Sequence, residues 1–282
     1  MIIDFHTHIL PPHVAKHKEQ YLKRDNTFRE LYENPKARII NAEDLIANMD
    51  RDGVEKSIVL GIGSSDPILG KEINDYIIES VNLYPKRLVG FADINPSWGT
   101  TALQEIERCA KAGLRGIGEL HPDTQGFDIG DLHTMSPIMN MVREKNLIVT
   151  THSSEPVGHY YQGKGNINPE RLWRFIHNFP DATIVCAHWG GGLPFYALMP
   201  EVARAINNVY FDTAASPLLY SSNIFDVGIS LLGKRKILMG SDYPLVRPKT
   251  LITEMEESNI SLESHAAITF DNASTMLRNQ FS

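Results

Sequence analysis

The chain alternates short apolar runs with longer stretches in which apolar residues recur at helical spacing. The apolar runs contain few polar residues, as expected for strands buried on both faces. Eight runs are predicted as strands: Met1–Phe5, Lys56–Gly61, Leu88–Asp93, Gly116–Leu120, Leu147–Thr151, Thr183–Ala187, Val209–Asp212 and Lys236–Met239. Eight strands with helices between them favour an α/β fold, a (β/α)8 TIM barrel forming a single domain over residues 1–282.

Residues at the ends of the helical stretches support this alternation. Glu43–Arg51 is followed by Gly53, a typical C-cap, and Thr101–Ala112 has the same helical spacing. Asn168 and Pro169 predict the start of another helix as N-cap and first helical residue. The alternative is an open doubly wound sheet, which is disfavoured because no Gly-x-Gly-x-x-Gly motif follows the first strand.

Two connections are longer than a barrel requires. They cover about residues 9–41 and 153–168, and we interpret both as loop insertions. Each follows the C-terminal end of a predicted strand, which is the active-site face of a barrel. Long loops in that place are typical of lids and binding loops.

Composition excludes several classes of function. The net charge is −7 without any basic cluster, which argues against a nucleic acid partner. Only Cys109 and Cys186 occur, so neither a disulfide scaffold nor a cysteine-rich metal site is expected. With neither a signal peptide nor a long apolar span, we expect a cytoplasmic protein without a membrane partner.

Polar residues gather where the predicted strands end, although interior barrel positions normally hold Val, Ile and Leu. His6 and His8 are two apart on a strand and therefore face the same side. The set predicts a divalent metal site, with Zn²⁺ expected first and Mn²⁺ second, because only imidazole and carboxylate ligands are at hand. The candidate metal-binding residues are His6, His8, Glu119, His152, His188 and Asp242.

Three further residues are candidates for contact with a small-molecule substrate. His121 and His159 lie on connections at the same end of the predicted barrel. Trp189 directly follows His188 and would form either a pocket wall or part of the packed core.

Three motifs resemble the amidohydrolase superfamily of metal-dependent barrels. They are His-Thr-His-Ile-Leu-Pro at His6–Pro11, Ala-His-Trp-Gly-Gly-Gly at Ala187–Gly192 and Gly-Ser-Asp-Tyr-Pro at Gly240–Pro244. Within the superfamily they are most similar to the amidohydrolase-related branch, which includes the aminocarboxymuconate-semialdehyde decarboxylases. The resemblance extends from residue 1 to about residue 273 and also suggests a homodimer.

This resemblance implies roles for individual residues. His6, His8, His152 and Asp242 match the ligands of the principal metal. His188 matches a histidine that orients the metal-bound water or binds a second metal. Glu119 stands where many members of the branch have lysine, and is similar to a carboxylate that bridges two metals in distant barrel hydrolases. Its alternative role is a hydrogen-bond acceptor or a substrate contact, so the sequence leaves one or two ions open.

The first functional hypothesis is hydrolysis of an amide, ester or lactone bond by metal-activated water. Asp242 would take the proton from the water, and His188 would hold the water or stabilise the oxyanion. The alternative is metal-dependent, non-oxidative decarboxylation of a small unsaturated or aromatic carboxylic acid, with His188 as base. An anionic substrate calls for a cationic side chain, for which Arg247, Lys164 and Arg24 are candidates. A third hypothesis is a metal-binding barrel without turnover.

Overall fold

The computed structural model describes residues 1–281, with side chains described up to residue 279. One parallel sheet contains eight strands in sequential order. The strands are β1 (Ile3–His8), β2 (Lys56–Leu60), β3 (Leu88–Ala92), β4 (Gly116–Leu120), β5 (Ile148–Thr151), β6 (Ile184–Cys186), β7 (Val209–Asp212) and β8 (Ile237–Leu238). Backbone hydrogen bonds of 2.7 Å from Phe5 N to Met239 O and 2.9 Å from Asp242 N to His6 O join β1 to β8 and the segment after it. The predicted TIM barrel is thereby confirmed, and the strand bounds agree within two residues, save that β1 extends three residues further, to His8.

Helices follow the strands and surround the barrel. They are α1 (Pro12–Lys16), α2 (Lys18–Arg24), α3 (Asn26–Tyr32), α4 (Ala42–Asp52), α5 (Pro67–Leu83), α6 (Thr100–Lys111), α7 (Pro122–Gln125), α8 (Leu132–Glu144), α9 (Pro169–Asn178), α10 (Ala187–Gly190), α11 (Pro200–Ala205), α12 (Ser216–Leu219), α13 (Ile224–Leu232), α14 (Pro248–Glu257), α15 (Leu262–Ala266) and α16 (Asn272–Phe281). Asn168 caps α9 by accepting a hydrogen bond from Arg171 N, and Gly53 ends α4 at a φ of 75°, as predicted. In the described part of the chain, no helix is long and apolar enough to cross a membrane.

The segment predicted as a first loop insertion contains three helices, α1 to α3. Asp25 caps α3 by accepting a hydrogen bond of 2.7 Å from Phe28 N. Tyr21, Phe28 and Tyr32 are buried, so this segment packs into the main core through an apolar face. The sequence prediction missed the helices because each is shorter than two full turns. The second insertion, residues 153–168, contains neither helix nor strand.

The barrel interior has two levels. Toward the N-terminal ends of the strands lies a cluster that we call the barrel floor: Ile3, Phe5, Ile58, Leu60, Phe91, Ile148, Val185 and Leu238. Because these side chains come from strands all around the barrel and pack together, they fill its interior. Phe5 and Phe91 meet edge to face with ring centroids 6.0 Å apart. Residues of α16, including Met276, join the same cluster.

Irregular strand pairing marks the transition from this floor to the polar level above. The register between β1 and β2 shifts between Asp4 and Thr7, and that between β4 and β5 shifts between Ile117 and Leu120. An extra residue in one strand changes the side to which the following side chains point. The shift in β1 explains how His6 can face the interior directly after the inward-facing Phe5.

Candidate metal centre and active site

Six buried or nearly buried side chains form a polar ring above the barrel floor. His6 and His8 lie on β1, Glu119 lies on β4, and the others follow strands β5, β6 and β8. We call the following set the polar ring: His6, His8, Glu119, His152, His188 and Asp242. The structure thus brings all six predicted metal-binding residues together.

The first part of the ring consists of His6, His8 and Asp242, with one oxygen of Glu119. The Nε2 atoms of His6 and His8 are 3.0 Å apart. Asp242 Oδ1 lies 3.8 Å from His6 Nε2 and 3.5 Å from His8 Nε2. Glu119 Oε2 lies 3.4 Å and 3.7 Å from the same two nitrogens. These atoms therefore surround one common point.

The second part of the ring uses the other oxygen of Glu119. Oε1 is 3.1 Å from His152 Nδ1 and 3.4 Å from His188 Nε2. The rings of His152 and His188 meet edge to face at 4.8 Å. The resemblance had implied that His152 joins His6, His8 and Asp242, but the structure groups it with Glu119 and His188 instead. The reason is that its Nδ1 faces Glu119, while its Nε2 faces the Lys164 carbonyl at 2.9 Å.

Each of the four imidazoles has one nitrogen fixed by an oxygen outside the ring. The Nδ1–H of His6 donates to Asp212 Oδ2 at 2.8 Å, and that of His8 donates to the Leu60 carbonyl at 3.3 Å. The Nδ1–H of His188 donates to the Ala214 carbonyl at 3.1 Å, and the Nε2–H of His152 donates to the Lys164 carbonyl. The remaining nitrogen of each imidazole faces the ring. Metal-binding histidines are held in this way, because the outer acceptor fixes both tautomer and orientation.

Two ring residues have backbone conformations that are costly for any residue but glycine. His188 has a φ of 53° and Asp242 a φ of 65°. Left-handed conformations at such residues cost on the order of 1 kcal/mol or more and cluster at functional sites. Gly240 permits the close approach of β8 to β1, because a Cβ there would lie 2.8 Å from the Cβ of His6.

The ring carries strong internal electrostatic interactions. Burial would raise the pKa of Glu119, but the charge of His6 and hydrogen bonds from His152 and His188 hold it well below its usual range. Burial would lower the pKa of His6, but Asp212 and Glu119 hold it well above its usual range. Despite burial, Glu119 raises the pKa of His188 to about 9. In the absence of a cation, protons on the imidazoles therefore offset the buried carboxylates.

The donor set fits a divalent cation. Two acceptor nitrogens only 3.0 Å apart repel each other unless a proton or a cation lies between them. Two nitrogen ligands of one Zn²⁺, each bound at about 2.1 Å, lie roughly 3–3.5 Å apart. His6, His8 and Glu119 form one group able to hold a metal, and Glu119, His152 and His188 form another. Imidazole and carboxylate donors suit Zn²⁺ and Mn²⁺ alike.

A cavity of about 460 Å³ opens above the polar ring. Five ring residues line it, all except His6, together with residues of the segment after β1 and of the 153–168 segment. Apolar walls come from Leu31, Leu218 and Leu219, and Tyr32 and Tyr161 add aromatic surface. The size and the mixed lining suit a small molecule with a planar or apolar body and a few polar groups.

Two of the predicted substrate-binding residues line this cavity, namely His121 and His159. The ring of His121 stacks on His152 with centroids 4.0 Å apart and planes 19° apart. Burial, followed by the charge of His152, holds the pKa of His121 well below its usual range. His159 lies on the 153–168 segment and is itself exposed.

The other two predicted substrate contacts do not line the cavity. Trp189 is buried in the core, where it meets Phe225 edge to face at 5.6 Å and donates to Ser216 Oγ. Arg247 is 44% exposed and forms an ion pair with Asp52 on α4, so it turns away from the ring. The structure therefore places Arg247 outside this cavity, and for Trp189 it agrees with the alternative of a core position.

The cavity contains a cation that the sequence prediction missed. Arg38 is the one arginine or lysine among the described residues that line it. Its guanidinium stands over the ring of Tyr243, 5.6 Å from the centroid, and no described carboxylate lies within ion-pair distance. Of the earlier candidates, Arg24 is paired with Asp66, and the Lys164 ammonium donates to the carbonyls of Val157 and His159. Arg38 carried no signal because it lies in a segment interpreted as a loop.

Asp212 was also missed, although its place in the chain could have revealed it. It is the last residue of β7, and the other ring residues likewise lie at or just beyond the C-terminal part of a strand. Besides accepting from His6, it accepts hydrogen bonds of 3.0 Å from the backbone N–H of His188 and of Ala214. Asp212 therefore fixes two ring histidines from behind.

The fold agrees with comparisons to known proteins. The family model described as amidohydrolase matches residues 3–278, so the chain belongs to the amidohydrolase family of enzymes. A 2-amino-3-carboxymuconate-6-semialdehyde decarboxylase of Dictyostelium discoideum is 22% identical over 318 aligned positions, which cover 90% of this chain and 86% of that protein.

Solved structures share the fold over nearly the full length. The 5-carboxyvanillate decarboxylase of Sphingomonas paucimobilis has a TM-score of 0.79 and 18% identity, with 98% of each chain covered. A dihydroxybenzoic acid decarboxylase from Polaromonas, solved with bound manganese and the inhibitor 2-nitroresorcinol, has a TM-score of 0.76 and 18% identity, covering 100% of this chain and 98% of that one. At these identities the likeness establishes the fold.

Proposed function

We propose that this protein is a metal-dependent, non-oxidative decarboxylase of a small aromatic or unsaturated carboxylic acid. The observation that carries the proposal is Arg38, a cation without a carboxylate partner that lines the same cavity as five of the ring residues. A guanidinium is suited to bind a carboxylate through two parallel hydrogen bonds. The relatives named as decarboxylases support the same reaction class.

The proposed cofactor is a divalent cation, with Mn²⁺ and Zn²⁺ as the candidates. The manganese in the dihydroxybenzoic acid decarboxylase favours Mn²⁺, whereas the histidine-rich donor set equally suits Zn²⁺. When bound, such a cation acts as a Lewis acid that polarises a substrate oxygen and withdraws electron density from the reacting bond.

Residues of the chain bind the substrate and transfer the proton. Arg38 holds a carboxylate of the substrate, and Tyr32 and Tyr161 offer aromatic surface to its planar body. As the bond to the carboxyl carbon breaks, its electron pair remains on the substrate carbon, which then takes up a proton. His188 and Asp242 line the cavity and deliver this proton to the substrate carbon.

Hydrolysis is the second candidate function. It is favoured by the position of Glu119 between two groups of histidines, since carboxylate-bridged metal pairs are common in hydrolytic enzymes. In that reaction Asp242 would take the proton from water and pass it to the leaving group. An amide, ester or lactone of a small acid would be the substrate.

Carbon dioxide release separates the two candidates. The Mn²⁺-loaded protein is incubated with a panel of hydroxybenzoates and unsaturated carboxylic acids, and with amides, esters and lactones of similar size. Decarboxylation predicts CO₂ from at least one acid, with no CO₂ after the metal is removed by a chelator. Hydrolysis of a neutral substrate without CO₂ from any acid would contradict the proposal, and so would metal binding without any turnover.

A further inference from the structure

Beyond the end of β3, the strands on either side of it bond directly to each other. β3 lies between β2 and β4 in the sheet but ends at Ala92. Gly61, the first residue of a segment that we call the β2 loop (residues 61–64), donates its N–H to the Gly118 carbonyl at 2.8 Å and accepts from the Glu119 N–H at 2.9 Å. Both polar groups of the peptide unit that joins Gly118 to Glu119 are thus bound to one residue. The place of Glu119 in the polar ring therefore depends on where Gly61 lies.

The β2 loop is held by the side chain of Asp93, the residue that follows β3. Asp93 Oδ2 accepts hydrogen bonds of 3.1 Å from the Ile62 N–H and 2.8 Å from the Ser64 hydroxyl, and Oδ1 accepts one of 2.8 Å from the Ser64 N–H. A Cβ on Gly61 would lie only 2.4 Å from the Cβ of Asp93, so the two residues pack directly together. Building on the metal dependence proposed above, we infer that Asp93 is a positioning residue that fixes Glu119 among the ligands of the polar ring through the β2 loop.

A carboxylate suits this position because all the groups that reach it are donors. The backbone N–H groups of Ile62 and Ser64 bond to different oxygens of Asp93. An amide has one accepting oxygen and an NH₂ group that can only donate. In Asp93→Asn one of the two backbone N–H groups would therefore face another N–H in a buried place. The β2 loop would have to shift to relieve that contact.

Asp93 itself is held by the helices around the barrel. Its N–H donates to Asn74 Oδ1 at 2.6 Å, and the Asn74 amide donates to the Asp93 carbonyl at 3.0 Å. Asn74 lies on α5 and also donates to Glu105 on α6 at 2.9 Å. The backbone of Asp93 is therefore fixed independently of the β2 loop. Its carboxylate is a rigid support, and the connection extends from the outer helices through Asp93 and the β2 loop to Glu119.

The other end of the β2 loop is bound to the residues that follow β4. Gln125 donates to the Ser64 carbonyl at 3.2 Å and accepts from the His121 N–H at 2.8 Å. A Cβ on Gly63 would lie 2.9 Å from the Glu119 carbonyl oxygen. The loop thus contacts the chain both before and after the Glu119 side chain. In an interior packed this closely, a shift of the loop is transmitted to its neighbours.

The ring leaves little room for such a shift. Glu119 Oε2 lies 3.4 Å from His6 Nε2, and Oε1 lies 3.1 Å from His152 Nδ1. Distances between a metal and its ligands are met to about 0.2 Å, and loss of a group that orients a ligand weakens metal binding by roughly 10- to 100-fold. A role of Asp93 in stability alone would lower the unfolding midpoint and leave the metal affinity of the folded protein unchanged.

The affinity of the metal-free protein for Mn²⁺ tests this inference without turnover. Free Mn²⁺ is measured by electron paramagnetic resonance during a titration at neutral pH. In Asp93→Asn we expect Kd per folded chain to rise by roughly 10- to 100-fold, and in Ser64→Ala, which removes one of the three donors, by about three- to tenfold. The matched control is Glu105→Gln, which alters a buried carboxylate bound to Asn74 and Arg108. Its Kd should equal that of the wild type.

An unchanged Kd in Asp93→Asn would overturn the inference, and so would an equal rise in Glu105→Gln. Crystal structures of the wild type and Asp93→Asn give a second test that needs no metal. We expect the Glu119 carboxylate to move by more than about 0.5 Å, the tolerance of a preorganised site, and an unmoved carboxylate would overturn the inference.

The two tests also separate this inference from the proposed function. A wild type that binds no Mn²⁺ would remove the proposed metal dependence, whereas the crystal structures would still decide the role of Asp93. If Asp93→Asn does not fold, the same two measurements are made on Ser64→Ala. An unchanged Kd together with an unmoved Glu119 in that variant would overturn the inference.

Discussion

The barrel floor and the polar ring occupy the same interior but differ in chemistry. On β1 the two meet between neighbouring residues, since Phe5 belongs to the floor and His6 to the ring. The floor consists of buried apolar side chains, whose removal from water stabilises the fold by about 25 cal/mol per Å². The ring consists of buried ionisable groups and includes two residues with left-handed backbone. The comparison suggests that the floor supports the fold while the ring serves chemistry at a cost in stability.

The largest predicted effect is a loss of activity, and it should follow from a change confined to the polar ring. Asp242→Asn keeps the shape of the side chain but removes its charge and its capacity to accept a proton. We expect kcat for CO₂ release to fall by about 10³-fold or more, since a positioned acid–base group contributes roughly 10²–10⁴-fold and a metal ligand is weakened as well. The thermal unfolding midpoint should change little, because the floor is untouched. Activity within tenfold of the wild type would contradict the assigned role of Asp242.

A change in the barrel floor should have the opposite result, a loss of stability without a loss of metal binding. Phe5→Ala removes a fully buried ring that packs against Phe91, and we expect the free energy of unfolding to fall by about 3–5 kcal/mol. Denaturant titration of the metal-free protein measures this loss. Mn²⁺ bound per folded chain should stay at the wild-type value, and Phe5→Leu should cost less than about 1.5 kcal/mol. A loss of metal from folded Phe5→Ala would show that floor and ring are not separable.

A smaller effect is expected at the cavity above the ring. Arg38→Ala should raise KM for the carboxylic acid by roughly 10- to 100-fold, because a hydrogen bond between charged groups contributes about 1.5–3 kcal/mol. The matched control is Arg247→Ala, whose guanidinium is paired with Asp52 outside the cavity. Steady-state kinetics on both variants decides between the two arginines. If KM rises in Arg247→Ala and not in Arg38→Ala, the substrate does not use the cavity in the proposed way.

The difference between floor and ring also explains what the sequence could reveal. Buried parallel strands have continuous apolar runs, so all eight strands could be predicted. His6, His8, Glu119, His152, His188 and Asp242 could be found because polar residues at strand ends stand out against apolar runs. The pairing of His152 with Glu119 could not, because it depends on which ring nitrogen the Lys164 carbonyl binds.

Residues outside the regular elements were harder to predict. Arg247 lies five residues after Asp242 and for that reason was a candidate, yet its side chain points to Asp52 on α4. Arg38 lies far from every motif in the chain and reaches the cavity only through the packing of the segment that contains α1 to α3. Long-range packing of this kind leaves no local pattern. The motif around Trp189 was informative about His188 alone, since the indole itself belongs to the core.

The smallest predicted effect is on the free energy of unfolding, and it concerns a carboxylate that belongs to neither the barrel floor nor the polar ring. Asp93, directly after β3, is fully buried and accepts hydrogen bonds from Ser64 and from the backbone of Ile62. Burial raises the pKa of Asp93 to about 6, whereas the histidines of the ring lower the pKa of Glu119 and Asp242. A carboxyl pKa raised in the folded state adds stability below its unfolded pKa of about 4, and this stability is lost as pH rises through 6.

The contribution of Asp93 to the free energy of unfolding of the wild type should therefore be about 1 kcal/mol larger at pH 5 than at pH 7. Other groups titrate in the same range, so the quantity to measure is the difference in unfolding free energy between wild type and Asp93→Asn at each pH. This difference should shift in favour of the wild type by about 1 kcal/mol on going from pH 7 to pH 5. A shift in the opposite direction would mean that Asp93 is stabilised as a carboxylate, as the ring carboxylates are. In that case the hydrogen bonds that Asp93 accepts from Ser64 and Ile62 would outweigh its burial.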